Sequence, residues 1–184
     1  MGRKQGKIKL NRFQRFISRN RKPERGPTVS HSLTRVWIHT VLGTNYRQRT
    51  ILPTFELSLH EHIKRHLEED FDSPVRAING VADHIHVLFL LSPHYAMKDL
   101  LQNIKGESSH WVNQQDFAKF KFAWQTGYAA FSVSESAVFE VERYIANQKQ
   151  HHAKKGFAEE WEELLREHGV EPSLETVETV SPDD

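Results

Sequence analysis

Residues 74–91, PVRAINGVADHIHVLFLL, decide how the rest of the chain is read. Pro74–Asn79 and Ile85–Leu91 are short runs rich in aliphatic and β-branched residues, and Gly80-Val81-Ala82-Asp83 between them is a connection of turn length. The pair predicts two antiparallel strands joined as a hairpin. Toward the N-terminus, Pro53-Thr54 opens a helix in which Phe55, Leu59, Ile63 and Leu67 recur on one face. Before it, Thr34–Thr44 is nearly continuously hydrophobic at Val36, Trp37, Ile38, Val41 and Leu42, the pattern of a central strand. Toward the C-terminus, Met97–Gln115 reads as a second helix with Leu100, Leu101, Ile104, Ser108, Trp111 and Val112 on a broad face, interrupted by Gly106. Phe122–Val133 is extended around Gly127. A third helix is expected from Ser134, as N-cap, to about His152, and an acidic helix over Ala158–His168 closes at Gly169. The order βαββαβ predicts an α+β fold: a ferredoxin-like antiparallel sheet with helices on one face, plus a C-terminal helix bearing Tyr144.

Composition narrows the function classes. The chain has 184 residues and no cysteine, which excludes a disulfide scaffold, a cysteine-based zinc finger and a cysteine nucleophile. No long apolar run suggests a membrane span, and the N-terminus lacks the apolar segment of a secretory signal. A cytoplasmic location is therefore expected. The net charge of +1 conceals two opposed ends. Residues 1–25 hold ten Lys/Arg and one acid, whereas residues 156–184 hold ten acids and one base. The expected organisation is a basic arm and linker over 1–28, a folded domain over 29–155, an acidic helix over 156–172 and a disordered tail over 173–184. A basic arm is either a phosphate binder or a solvated tail.

Asp83-His84-Ile85-His86 is the first candidate for chemistry. On a strand, residues i and i+2 point to one face, so His84 and His86 present two imidazoles within reach of one cation. The same spacing also describes two polar residues on a solvated face. Imidazole suits Zn, Mn, Co or Ni better than Mg, and Mg²⁺ would add oxygen ligands. Tyr144 and Gln148 are i, i+4 on the third helix. A tyrosine can act as a covalent nucleophile and a glutamine carbonyl can complete a metal site, although both residue types more often pack or face solvent. His151-His152 and His60, His62 and His66 are further candidate ligands, with surface histidines as the plainer reading. Lys105, Arg143, Lys149, Lys154 and Lys155 gather around the second and third helices, where they either hold phosphates or form a solvated face. No Walker loop, Rossmann glycine pattern or Gly-x-Ser-x-Gly elbow is present.

Five blocks taken in order carry a resemblance: DHIHVL (83–88), LLQNIKGESSHW (100–111), WQTGYAAFSVS (124–134), VERYIANQKQHH (141–152) and a tail ending EHGV (167–170). The chain resembles the single-tyrosine HUH transposases of bacterial insertion sequences, including the REP-associated tyrosine transposases, from about His31 to Pro172. The resemblance implies that His84 and His86 are metal ligands, that Gln148 is the third, and that Tyr144 is the nucleophile. It implies a divalent metal ion, Mg²⁺ or Mn²⁺, as the cofactor. It further implies single-stranded and hairpin DNA as substrate, a 5′-phosphotyrosine intermediate, and a homodimer whose active sites are shared between subunits. Such an enzyme is expected at the nucleoid. The alternative is a domesticated hairpin-binding protein without transposition activity, and a hydrolase unrelated to DNA is a third reading. One departure is visible: Ala129 stands where the family commonly has glycine, so a left-handed backbone there would be strained.

Overall fold

The computed structural model describes residues 33–171, apart from 116, 118 and 154. The basic arm, the C-terminal tail and Lys154 thus lie outside the described residues. Strand β1 (Trp37–Gly43) is followed by a 3₁₀ turn (Asn45–Arg47) and helix α1 (Glu56–Phe71). Strands β2 (Val75–Val81) and β3 (His84–Leu90) form the expected hairpin. Helix α2 (Met97–Gln114), strand β4 (Ala129–Val133), a 3₁₀ turn (Glu135–Ala137) and helices α3 (Val138–Ala146), α4 (Gln148–His151) and α5 (Phe157–Glu167) complete the order. The sheet runs β2-β3-β1-β4 with every pairing antiparallel, which is the ferredoxin-like arrangement.

The hydrophobic pattern explains this order. Phe55, Leu59, Ile63 and Leu67 are each no more than 1% exposed. Burying such side chains contributes about 1.5–3 kcal/mol each, well above helix propensity. Helix α1 stops at Asp72, which takes a left-handed conformation (φ 47°), and Ser73 donates to the Leu67 carbonyl before Pro74 leads into β2. Strands β1 and β3 are central and buried on both faces. Ile38, Leu42, Ile85, Val87 and Phe89 point to the side covered by the α1–α2 pair. Trp37 and Leu88 point to the other, where they pack with Val138 and Ile145 of α3.

Several local expectations are corrected. The hairpin connection is tighter than four residues, because Gly80 and Val81 remain in the ladder opposite Ile85 and His84. His60, His62 and His66 are buried rather than on the surface. His62 stacks on Trp111 with centroids 4.2 Å apart and meets Glu107 at 2.5 Å, and His66 meets Asn103 at 2.9 Å. These histidines belong to the α1–α2 seam. Ser134 makes no capping hydrogen bond, and Glu135 instead binds Arg35 and the Trp37 indole. Ala129 carries no strain: the left-handed position is Gly127 (φ 91°), one turn residue earlier, and Ala129 pairs with Val41. Among the described residues, no helix is long and apolar enough to cross a membrane.

Candidate active site and metal centre

Strand β3 fixes His84 and His86 on the sheet face opposite α1 and α2, with 0% and 1% exposure. The exposed-pair reading of His-x-His is therefore excluded. Each imidazole has its Nδ1 engaged. Asp83 Oδ1 lies 2.6 Å from His84 Nδ1. Burial acts to raise the Asp83 carboxyl, but His84 and Arg47 outweigh it and hold it below its ordinary value, so it is an acceptor and His84 Nδ1–H is the donor. His86 Nδ1 lies 3.0 Å from His39 Nε2, with the two rings stacked at 5.2 Å. Burial lowers His39 to about 3 and His86 to about 4, so both are neutral at pH 7. Arg47, left-handed at φ 54°, backs Asp83 at 3.4 Å and lies 3.1 Å from the centre of the Phe157 ring.

The tyrosine reaches this face from α3. Its ring centre is 5.7 Å from that of His86 and 6.1 Å from that of His39 in the same chain. Gln148 is fully buried. The continuous third helix expected from the sequence is broken: Asn147 leaves helical geometry (φ −97°, ψ 11°), so Tyr144 ends one helix and Gln148 begins the next. The Asn79 side chain, opposite His86 in the ladder, donates to the Ile145 and Ala146 carbonyls at 3.0 Å and ties the break to the histidine strand.

Three atoms are left over. His84 Nε2, His86 Nε2 and Gln148 Oε1 are buried and have no hydrogen-bond partner. Buried polar atoms are normally satisfied, and three unsatisfied acceptors in one place are costly unless something positive sits among them. The residues present therefore fit a divalent cation. The histidines also have the outer-sphere support, a carboxylate on one and an imidazole on the other, that orients metal-binding imidazoles.

Glu160 of α5 enters the same space, and no feature of the sequence reading had marked it. Its Oε1 accepts from the Tyr144 hydroxyl and, at 2.8 Å, from Gln148 Nε2. Its Oε2 lies 2.6 Å from His152 Nε2 and 3.3 Å from His84 Nε2. Burial works to raise this carboxyl, yet the imidazoles of His152, His84 and His86 hold it well below the carboxylate range. Burial, then the bond to Glu160, pushes the Tyr144 hydroxyl far above an ordinary phenol. His84, His152 and Glu160 each bring a potential ligand atom to within 4.8 Å of the other two.

The basic candidates are dispersed. Lys149 and Lys155, with Arg49, line a cleft of ≈ 700 Å³ that reaches Asp83 and His152. Lys149 meets Glu56 at 2.8 Å and Lys155 pairs with Glu163. Arg143 is exposed on α3. Lys105 points elsewhere, donating to the carbonyls of Gln125, at 2.6 Å, and Gly127, and so supports that turn. Tyr144 itself lines a second cleft, of ≈ 600 Å³, whose acidic residues are Glu140, Glu160, Glu163 and Glu167.

Comparison with known proteins bears on the fold and the family. No curated protein matches the chain significantly. A protein taken to be a transposase from Deinococcus radiodurans R1 has a similar structure (TM-score 0.50, 20% identity), covering 67% of this chain and 98% of that one. A REP-associated tyrosine transposase bound to a REP hairpin is similar over 70% of this chain and 74% of that one (TM-score 0.50, 16% identity). At these identities the likeness speaks for the fold. The sequence model described as "Transposase IS200 like" matches residues 32–148, which contain both histidines, Tyr144 and Gln148. The chain belongs to the IS200-like transposase family.

Proposed function

We propose that this transposase cuts and rejoins single-stranded DNA beside a hairpin, with Tyr144 as nucleophile and His84, His86 and Gln148 holding Mg²⁺ or Mn²⁺. The observation that carries the reading is the presence of buried, partnerless atoms on His84, His86 and Gln148 beside Tyr144, whose ring centre is 5.7 Å from that of His86. A cation held there supplies Lewis acidity toward the scissile phosphate and the charge that develops on it. Asp83 keeps His84 in the tautomer that leaves its Nε2 bare, and His39 engages Nδ1 of His86. The Tyr144 oxygen bonds to phosphorus as the bond to the 3′ oxygen breaks, giving a 5′-phosphotyrosine and a free 3′-OH. The phosphodiester energy is kept, so a later 3′-OH reverses the step without ATP. Since burial disfavours the phenolate, the Tyr144 proton leaves as the new bond forms rather than beforehand.

The strand is proposed to approach through the cleft bearing Arg49, Lys149 and Lys155, away from the acidic one. Lys155 exchanges its exposed partner Glu163 for a phosphate at little cost, since such pairs contribute about 0–1 kcal/mol, whereas Lys149 keeps buried Glu56 as its partner while it faces the cleft. Arg143 and Lys154 are proposed to add phosphate contacts, while Lys105 acts through the 125–127 turn. Tyr144 meets the histidines of its own chain, so the reaction is proposed to run within one subunit; a homodimer would not be needed to complete the site. Such an enzyme acts where chromosomal DNA is, at the nucleoid in the cytoplasm.

The test is a covalent trap. Full-length protein with Mn²⁺ and a single-stranded oligonucleotide carrying a hairpin should give a protein–DNA adduct on a denaturing gel, absent from Tyr144→Phe. Equal cleavage by the two proteins would remove Tyr144 from the mechanism. Hairpin binding without cleavage under any divalent metal would instead favour a domesticated binding protein.

A further inference from the structure

The proposed ligand set leaves Glu160 without a role, yet its carboxylate sits among the same atoms. We propose that Glu160 is a fourth protein ligand of the divalent cation, and that His152 is the positioning residue that holds it there. The proposal rests on the metal-site reading above and extends it to helix α5, which begins beyond the residues matched by the family.

The argument starts from hydrogen-bond roles. With Nδ1–H of His84 given to Asp83, His84 Nε2 carries a lone pair and no proton, while His86 has Nδ1 engaged by His39 and Nε2 without a partner. Glu160 presents lone pairs to them at 3.3 Å (Oε2 to His84) and 3.6 Å (Oε1 to His86). Neither approach is a hydrogen bond, since both nitrogens lack a partner. Gln148 Oε1 adds another partnerless acceptor. The bare His84 Nε2 and the Glu160 carboxylate are two acceptors in contact in a dry pocket, and they repel unless a cation lies between them.

The spacing fits as well. Neighbouring ligand atoms bonded at about 2.0–2.1 Å to one ion lie about 2.8–3.0 Å apart in an octahedron and about 3.3–3.4 Å apart in a tetrahedron. The distances from Glu160 to the two histidines sit at or just above that range. His152 is too close to Glu160 Oε2, at 2.6 Å, to share the ion with that oxygen as a separate ligand, and this is the distance of a strong hydrogen bond to a carboxylate. Its place is behind the carboxylate, as Asp83 is behind His84. A carboxylate also supplies the hard, anionic oxygen that two imidazoles and an amide lack, which favours Mn²⁺ and Mg²⁺ over softer ions.

The test is metal affinity, read without any DNA reaction. Mn²⁺ is titrated calorimetrically into chelator-stripped full-length wild type, Glu160→Ala and Glu160→Gln at neutral pH. The alanine variant should bind at least about tenfold more weakly, and the glutamine variant should fall between, because it keeps a neutral oxygen. Affinity equal to or tighter than wild type in both variants overturns the proposal. A second measurement needs no variant: in wild type labelled with ¹³C at glutamate carboxylates, one equivalent of Mn²⁺ should shift a carboxylate stretching band in the infrared. No shift at saturation overturns it even if the variants do not fold. If wild type itself binds no Mn²⁺, the metal site as a whole falls; if wild type and variants bind alike, only the role of Glu160 falls.

Discussion

Adding one methyl group at Gly80 is expected to damage the metal centre although Gly80 touches no proposed ligand atom. Gly80 pairs opposite Ile85 in the hairpin. A Cβ built there lies 2.2 Å from the His84 carbonyl oxygen and 2.7 Å from Ile85 Cα, both backbone atoms that cannot rotate aside. Real Cβ contacts are essentially never under 3.0 Å, so β2 and β3 must separate by at least about 0.8 Å at the residue that carries the first imidazole. Overpacking of this kind costs about 1–3 kcal/mol. The displacement carries His84 Nε2 away from His86 Nε2 and Gln148 Oε1, and misplacement on the order of 1 Å costs about 100-fold in a positioned reaction. Gly106→Ala is the control, because a Cβ there meets nothing within 4 Å on an exposed helix face. That change should stabilise the protein by about 0.5–1 kcal/mol through helix propensity. Urea unfolding in chelator and calorimetric Mn²⁺ binding should separate the two variants: Gly80→Ala less stable and at least tenfold weaker for Mn²⁺, by analogy with lost outer-sphere support, Gly106→Ala more stable with unchanged affinity. A Gly80→Ala protein equal to wild type in both assays would refute the reasoning, since the hairpin would then have absorbed the methyl without moving His84.

Two further outcomes follow from the outer sphere and from burial. Asp83→Asn keeps the shape but loses the charge that fixes the His84 tautomer, and should weaken Mn²⁺ binding about 10–100-fold while leaving the fold intact by circular dichroism; unchanged affinity would show that Asp83 does not orient the ligand. In chelator, acid should destabilise the protein well above the carboxylate range. Burial lowers His39 to about 3, and His60 and His86 to about 4, from 6.5. Between those values and about 6.5 the unfolded chain binds protons that the folded chain refuses, so stability falls as pH falls, by up to about 1.4 kcal/mol per pH unit for each histidine. Urea midpoints at pH 7.5 and 5.5 measure this, and equal midpoints would contradict the buried neutral histidines.

How much of this was legible in the sequence depends on whether a feature is periodic. The stripe Phe55, Leu59, Ile63, Leu67 and the alternation around His84 and His86 repeat with the period of their element, so one chain suffices to read them. The break at Asn147 has no such signature. Nothing in RYIANQKQ requires a kink, and it forms because Asn79, more than sixty residues away, takes up the Ile145 and Ala146 carbonyls. His39 reads as an isolated histidine because its partner, His86, lies on another strand. Glu160 was hidden for a compositional reason: it is one of ten acids in residues 156–184. A charge run reads as a solvated face, and only the buried stripe of Glu160, Leu164 and Leu165 distinguishes the residue that turns inward.

That last point bears on how the acidic end of the chain should be understood. Helix α5 has two sides with opposite consequences for DNA. Outward, Glu163 and Glu167 line the cleft beside Tyr144 and repel a phosphate backbone, so they bias the strand toward the cleft of Arg49, Lys149 and Lys155. Inward, Glu160 is surrounded by imidazoles and an amide, where a negative charge is compensated rather than repelled. A single acidic helix thus divides its charge between excluding nucleic acid from one approach and completing a pocket for a cation. The two effects separate experimentally, because replacing Glu163 and Glu167 with glutamine leaves the contacts of Glu160 in place, whereas replacing Glu160 keeps Glu140, Glu163 and Glu167 in the acidic cleft.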